Sequence, residues 1–175
     1  MIIDKSLKGI EASRFNIEDY KSDILAKNLT FSLLYKLGAK KVIIDTGEEV
    51  RSSYYKDIEC DLNKKHLIIS VERRGIWLDG CKDFPRSSVN ILNRKSKECN
   101  SKNQFTTFVV CSHDLQGLCV IKYDIFDKIE PIQIKTRRGD DWVRQIPVDQ
   151  CVFYRMTNRL ENIWQIKENG IWRTL

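Results

Sequence analysis

Between Tyr54 and Arg74 the sequence runs YYKDIECD, then LNKK, then HLIISVERR, where the first block ends at Asp61 and the last begins at His66. Both flanking blocks alternate apolar and polar residues, the period of a strand with one buried face. The four residues Leu62–Lys65 leave room only for a tight connection, so the segment predicts a β-hairpin with Asn63 and Lys64 at its tip. In that register Leu62 opposes Lys65, Cys60 opposes Leu67, Asp57 opposes Ser70 and Tyr55 opposes Glu72. Opposed residues share a face, and alternation assigns the rest. One face collects Ile58, Cys60, Leu62, Leu67, Ile69 and Val71 and reads as core. The other collects Asp57, Glu59, Asp61, His66, Ser70, Glu72 and Arg74, with Ile68 as its main apolar member.

Four carboxylates on one face of two adjacent strands repel each other and cost stability unless something neutralises them. A solvated edge with loosely exchanging charges is the plain reading. The strength of the apolar face argues instead for a central hairpin whose polar face lines a cleft. A hard divalent cation neutralises such a face directly. Mg²⁺ takes oxygen from one or two carboxylates, plus waters and phosphate. It can activate water and offset charge on a phosphoryl group, and a neighbouring cation steadies the same charge.

The segment before the hairpin predicts a helix over residues 16–37. Asn16 is its cap, and Glu18 and Asp19 lie in its first turn. Ile17, Tyr20, Ile24, Phe31 and Leu34 form an apolar stripe, widened by Leu25, Leu29, Leu33 and Leu37. Gly38 is the stop. Strands are expected at Lys41–Asp45, Tyr54–Asp61, His66–Arg74, Ser88–Leu92, Phe105–Cys111, Leu118–Ile125, Pro131–Thr136, Val143–Ile146 and Cys151–Met156. Leu160–Leu175 reads as a short helix or a strand packed back on the body. The order is helix, three strands, a loop-rich middle and further strands, an α+β fold. At 175 residues this is one domain, with a core motif over 16–75, a basic loop and strand region over 76–156 and a tail over 157–175. No apolar run reaches the ~18–20 residues of a membrane span. The N-terminus does not read as a signal peptide.

The chain carries 30 Lys and Arg against 24 Asp and Glu, a net charge of +6. That surplus fits a polyanion partner, nucleic acid first. Its placement is uneven. Residues 86–102 hold Arg86, Arg94, Lys95, Lys97 and Lys102 against Glu98, and residues 135–144 hold Lys135, Arg137, Arg138 and Arg144 against Asp140 and Asp141. Arg73, Arg94, Lys95, Arg137 and Arg138 are the candidate phosphate contacts, and Trp77 and Trp142 are candidate stacking residues. The six cysteines show no CxxC spacing, which argues against a zinc site. Several sit in apolar runs, so free thiols and a reducing, cytoplasmic compartment are expected. Cys111 and His113 share one strand segment two residues apart, too far for a catalytic pair.

Helix, strand, then an antiparallel pair carrying Asp and Glu-x-Lys resembles the PD-(D/E)XK nuclease superfamily. The likeness covers residues 16–75. Asp57 and Glu72 take the acidic positions, with Asp61 as the rival for the first. Arg74 stands two residues after Glu72, where the family most often has lysine. Asp23, Asn28 and Glu18 are candidates for the helix residue that often completes such sites. The resemblance implies a restriction-endonuclease-like core and a Mg²⁺-dependent (or Mn²⁺-dependent) nuclease that hydrolyses DNA phosphodiester bonds. Asp57 and Glu72 would bind the metal, supported by Asp61 or Glu59, and Arg74 would steady the scissile phosphate. Lysine is a point charge that can deprotonate, whereas arginine is an always-charged fork, so Arg74 cannot be a base. The alternative is a non-catalytic nucleic-acid-binding or phage-like assembly protein on a degenerate nuclease fold. A third reading is an adaptor whose tail tryptophans, Trp164 and Trp172, dock a partner. Duplex-cutting nucleases of this size often act as homodimers.

Overall fold

The computed structural model describes residues 17–44, 57–93, 95, 105–136 and 139–175. Helix α1 (Ile17–Lys36) leads into β1 (Lys40–Ile44), and the hairpin follows as β2 (Ile58–Leu62) and β3 (Lys65–Arg73). Then come β4 (Ser88–Leu92), β5 (Thr107–Cys111), β6 (Gly117–Lys122), the short helix α2 (Tyr123–Lys128), β7 (Ile132–Thr136) and β8 (Gly139–Pro147). The chain ends in β9 (Val152–Asn158), β10 (Ile163–Glu168) and β11 (Ile171–Thr174). This is the expected α+β fold with a mixed, largely antiparallel sheet. The main sheet has eight strands in the order β1-β2-β3-β5-β6-β9-β10-β11, and a second has three in the order β4-β8-β7. Among the described residues only β3 and β5 pair parallel.

The hairpin register is the one its sequence dictates: Leu62 opposes Lys65, Cys60 opposes Leu67 and Ile58 opposes Ile69. Asn63 and Lys64 take φ of 51° and 64°, the left-handed pair that a two-residue turn between twisted strands requires. A lysine at the second position is strained where glycine is not. Lys64→Gly is therefore expected to stabilise the chain by about 0.5 kcal/mol, measured as a rise in the urea midpoint.

Helix α1 stops at Gly38, whose φ is +81°. The Gly38 N–H donates to Tyr35 O at 3.0 Å and the Ala39 N–H to Leu34 O at 2.9 Å, the paired bonds of a Schellman end. Its buried face shares Leu29, Leu33 and Leu34 with the expected stripe but leaves out Leu25 and Phe31. Ala26, Leu29, Thr30, Leu33 and Leu34 are buried, whereas Leu25 and Phe31 are exposed. Residues 26, 29, 30 and 33 recur at three- and four-residue spacing, and 25 and 31 lie off that arc.

Two cores cover the two faces of the main sheet. One joins α1 to Ile58, Cys60, Ile69, Val71, Val109, Cys111, Leu118, Met156 and Trp164. The other joins Ile68, Phe108, Val110, Cys119 and Ile121 to Trp77, Phe126 and the second sheet's Val89, Ile91 and Ile146. β5 feeds both, with every residue buried, as expected of a strand covered on both sides.

Several expectations are corrected here. Tyr123–Ile125 belongs to α2 and not to a strand; Phe126 and Tyr123 pack around Phe108, and so short an apolar run carries no periodicity to tell helix from strand. Of the two alternatives for the tail the strand one holds: it forms the β10–β11 hairpin, paired onto β9. Trp164 is fully buried and Trp172 lies under the Arg155 guanidinium at 4.3 Å, so the tail tryptophans are engaged within the chain. Trp77 is a core residue, 2% exposed, which removes it as a stacking platform; Trp142 is exposed. The described cysteines, Cys60, Cys81, Cys111, Cys119 and Cys151, are free thiols. No described helix is long and apolar enough to cross a membrane.

Candidate functional site

Among the described residues the pairing of β2 with β3 runs to Ile58 and Ile69, and β3 runs beside β5 as far as Arg73 and Cys111; Tyr54–Lys56 of the expected strand lie outside the described residues. Asp57, just before β2, reaches β3 through its side chain. Its Oδ2 accepts the Val71 N–H at 2.7 Å. Its Oδ1 lies 3.1 Å from Lys27 Nζ of α1. Lys27 reaches this point because α1 crosses the end of β5, where Cys111 Sγ meets Thr30 Oγ1 at 3.9 Å and Ala26 O at 3.7 Å.

On β3, alternation puts Ser70, Glu72 and Arg74 on one face, as the sequence predicts. Glu72 Oε2 lies 2.6 Å from Arg74 Nη2 and Oε1 lies 2.7 Å from Lys95 Nζ. Lys95 also donates to the buried Ser70 hydroxyl. Arg74 Nη2 donates to Asn90 O of β4 at 2.7 Å, which anchors it to the second sheet. Lys27, Asp57, Glu72 and Lys95 side chains are all under one-fifth exposed. Such charge-assisted bonds are short and little screened by salt. Two carboxylates stand here against three cations.

The polar face of the hairpin thus divides in two. Glu59 and Asp61 lie toward the tip, where the His66 ring stands 3.0 Å from each carboxylate and Lys41 lies 3.4 Å from Asp61. Asp61 opposes His66, six residues along β3 from Glu72, or about 20 Å at ~3.3 Å per residue. The structure does not bring Asp61 to Glu72. Lys41 and the His66 ring are the partners of the tip carboxylates. The hydrogen bond from His66, with Lys41 beside it, holds the Asp61 carboxyl below the usual carboxylate range against a smaller desolvation effect. A carboxyl depressed in the folded state adds stability above its unfolded value and loses it as pH falls through the folded value. His66→Ala is expected to move the Asp61 titration upward toward the ordinary value, measured by carboxyl carbon NMR.

Of the expected phosphate contacts, Arg73 donates from Nε to His113 O at 3.0 Å, and Lys95 belongs to the Glu72 cluster. Arg94, Arg137 and Arg138 lie outside the described residues; Glu18 and Asp23 lie in α1, with their side chains outside the description. Asn28 is exposed on α1. Arg144 is committed to structure, bonded to Asn93 Oδ1, Phe126 O and Asp127 O. Lys27 was missed by sequence reasoning, because a lone lysine in an amphipathic helix reads as solvated. Lys95 was read only as part of a basic loop, and no local spacing links it to Glu72.

Among the described residues no group of three or more His, Cys, Asp or Glu side chains is placed to hold a metal ion. The hard oxygen donors here are Glu72 and the Ser70 hydroxyl, both bonded to Lys95, and Asp57, bonded to the Val71 N–H and Lys27. By ligand type this set fits Mg²⁺, which takes few protein ligands and completes its shell with water and phosphate.

No protein-family model matches the chain, and no curated protein sequence matches it significantly. Among solved structures it is similar to a bacterial homing endonuclease, I-Ssp6803I, with a TM-score of 0.42 and 19% identity over 62% of this chain and 68% of that one. A likeness this loose transfers no function from one chain to the other.

Proposed function

We propose that the chain is a metal-dependent nuclease acting on DNA, with Asp57, Glu72 and Lys95 as its central residues. The observation that carries this reading is Lys95 Nζ at 2.7 Å from Glu72. The sequence places an arginine where the resembled family most often has lysine, and the fold supplies a lysine to the same glutamate from after β4. A lysine here is a compact, rotatable point charge, whereas an arginine is a fixed planar fork.

The roles follow from position. Lys95 and Arg74 converge on Glu72, and both can turn donors to a phosphate oxygen that displaces one carboxylate contact. Two cations beside a phosphate stabilise the charge that grows in the transition state. Glu72 holds them in register with Ser70 and Asn90. Asp57 ties the end of β3 to α1. Asp57 and Glu72 would hold Mg²⁺ or Mn²⁺, which supplies an activated water and offsets charge on the phosphoryl group.

One observation favours a second reading. Both oxygens of Asp57 and both of Glu72 already have cationic or N–H partners, an arrangement that grips phosphate without cutting it. Lys95→Met separates the two. On the nuclease reading the wild-type chain cleaves end-labelled DNA in Mg²⁺ or Mn²⁺, and Lys95→Met lowers the rate by about 10²-fold or more. Binding without cleavage by the wild-type chain supports the second reading and sinks the first.

A further inference from the structure

The chain that leaves the candidate site is anchored at its middle and presents apolar side chains on either side of the anchor. Trp77 is buried in the second core, and its indole N–H donates to Lys82 O at 3.2 Å. Its neighbours Ile76 and Leu78 are 48% and 67% exposed. A single exposed aliphatic residue means nothing. Two of them flank a buried tryptophan, and the segment starts one residue after Arg74 of the candidate site.

This segment is bound to the β5–β6 turn. The His113 N–H donates to Trp77 O at 2.6 Å, and the Gly80 N–H donates to both Asp114 oxygens at 3.0 and 3.1 Å. The Asp114 carboxylate also accepts the Ser112 hydroxyl at 2.5 Å and the Gln116 N–H at 3.2 Å. The acid of this turn is thus spent on its own backbone. The turn's carbonyls instead hold two arginines. Arg73 donates to His113 O, and Arg159 Nη2 donates to Asp114 O and Leu115 O, each at 3.0 Å. Arg159 is exposed. Guanidinium groups fixed by backbone carbonyls are suited to phosphate oxygens. Aliphatic wedges are used by nucleic-acid-binding proteins against bases and sugars.

We infer that residues 73–78, the turn 113–115 and Arg159 form a ledge that holds nucleic acid alongside the candidate site. Arg73 and Arg159 contact the phosphate backbone. Ile76 and Leu78 contact bases or sugars. The inference rests on the proposed function, because it takes the ligand of the neighbouring site to be nucleic acid.

The test is fluorescence anisotropy with a labelled DNA duplex in chelator, over a salt series, using the full chain. Arg159→Gln is expected to weaken binding about 3- to 10-fold and lower the salt slope by about one. Arg159→Lys retains the slope. The double variant Ile76→Ser, Leu78→Ser is expected to weaken binding about tenfold with the slope unchanged, since it removes no charge. Circular dichroism melts confirm the fold, and the serine pair carries the test should Arg159→Gln unfold. Wild-type cleavage in Mg²⁺, with all these variants binding like wild type, overturns the ledge and leaves the site reading standing. Weakened variants on a wild-type chain that never cleaves keep the ledge and overturn the nuclease reading. A wild-type chain that neither binds nor cleaves overturns both.

Discussion

Glu72→Ala is expected to abolish nuclease activity, with a rate loss of about 10²–10³-fold or more. The glutamate bonds Arg74 and Lys95 through separate oxygens. Its removal takes away a proposed metal ligand and releases both cations that face the phosphate. It also leaves two partly buried cations without their carboxylate, at a cost of about 1–3 kcal/mol in stability. Glu72→Gln keeps the size and can accept one hydrogen bond, so it is expected to recover part of the stability and little of the activity. DNA binding is expected to persist in both variants, because each removes a negative charge from a surface that holds phosphate. A loss of activity that merely tracked the loss of fold would place Glu72 in the framework alone. Thermal melts beside cleavage rates separate the two.

The largest effect on stability is expected from Gly80→Ala, about 3 kcal/mol or more. A Cβ at Gly80 would meet the Gly117 amide nitrogen, the Ser112 hydroxyl and, at 2.6 Å, the Gly117 Cα. Most of these are backbone, which cannot yield as a flexible side chain does. The reverse change is blocked as well, because a Cβ at Gly117 would lie 2.6–2.7 Å from the Trp77 ring and Gly80 Cα. The two glycines let the segment after Arg74 cross the β5–β6 turn in contact with it. Gly75→Ala is the control. Nothing lies within 4 Å of its added Cβ, and the change is expected to cost less than about 0.5 kcal/mol. Since the crossing sits beside the candidate site, Gly80→Ala is expected to lower DNA binding in proportion to the folded fraction lost.

The hairpin was legible because two independent signals agree on it. Alternation fixes the faces, and the short link between Asp61 and His66 fixes the register, so Ser70, Glu72 and Arg74 fall on one face from the sequence alone. The end of α1 was legible for a similar reason, since Gly38 supplies the left-handed residue a helix stop needs. What could not be read are contacts made by distant segments. Lys95 meets Glu72 only because β4 joins the second sheet and returns the chain to β3. Lys27 meets Asp57 only because α1 crosses the end of β5. Asp61 misled for a physical reason: residues on one face of a long hairpin share a side of the sheet but not a place along it. The first three residues of α2, Tyr123–Ile125, read as strand because the aromatic residues of the helix are packed by the cluster around Phe108 and not by a period of their own.

The central claim is that Asp57, Glu72 and Lys95 form a metal-dependent site for cutting phosphodiester bonds. The most direct measurement is cleavage of an end-labelled DNA duplex by the purified wild-type chain and by Glu72→Ala, side by side, in Mg²⁺ and again with a chelator. The account predicts products from the wild-type chain in Mg²⁺ alone, and none from either protein under the other conditions. A wild-type chain that yields no product in Mg²⁺ or Mn²⁺, or cleavage that survives in Glu72→Ala, would contradict it.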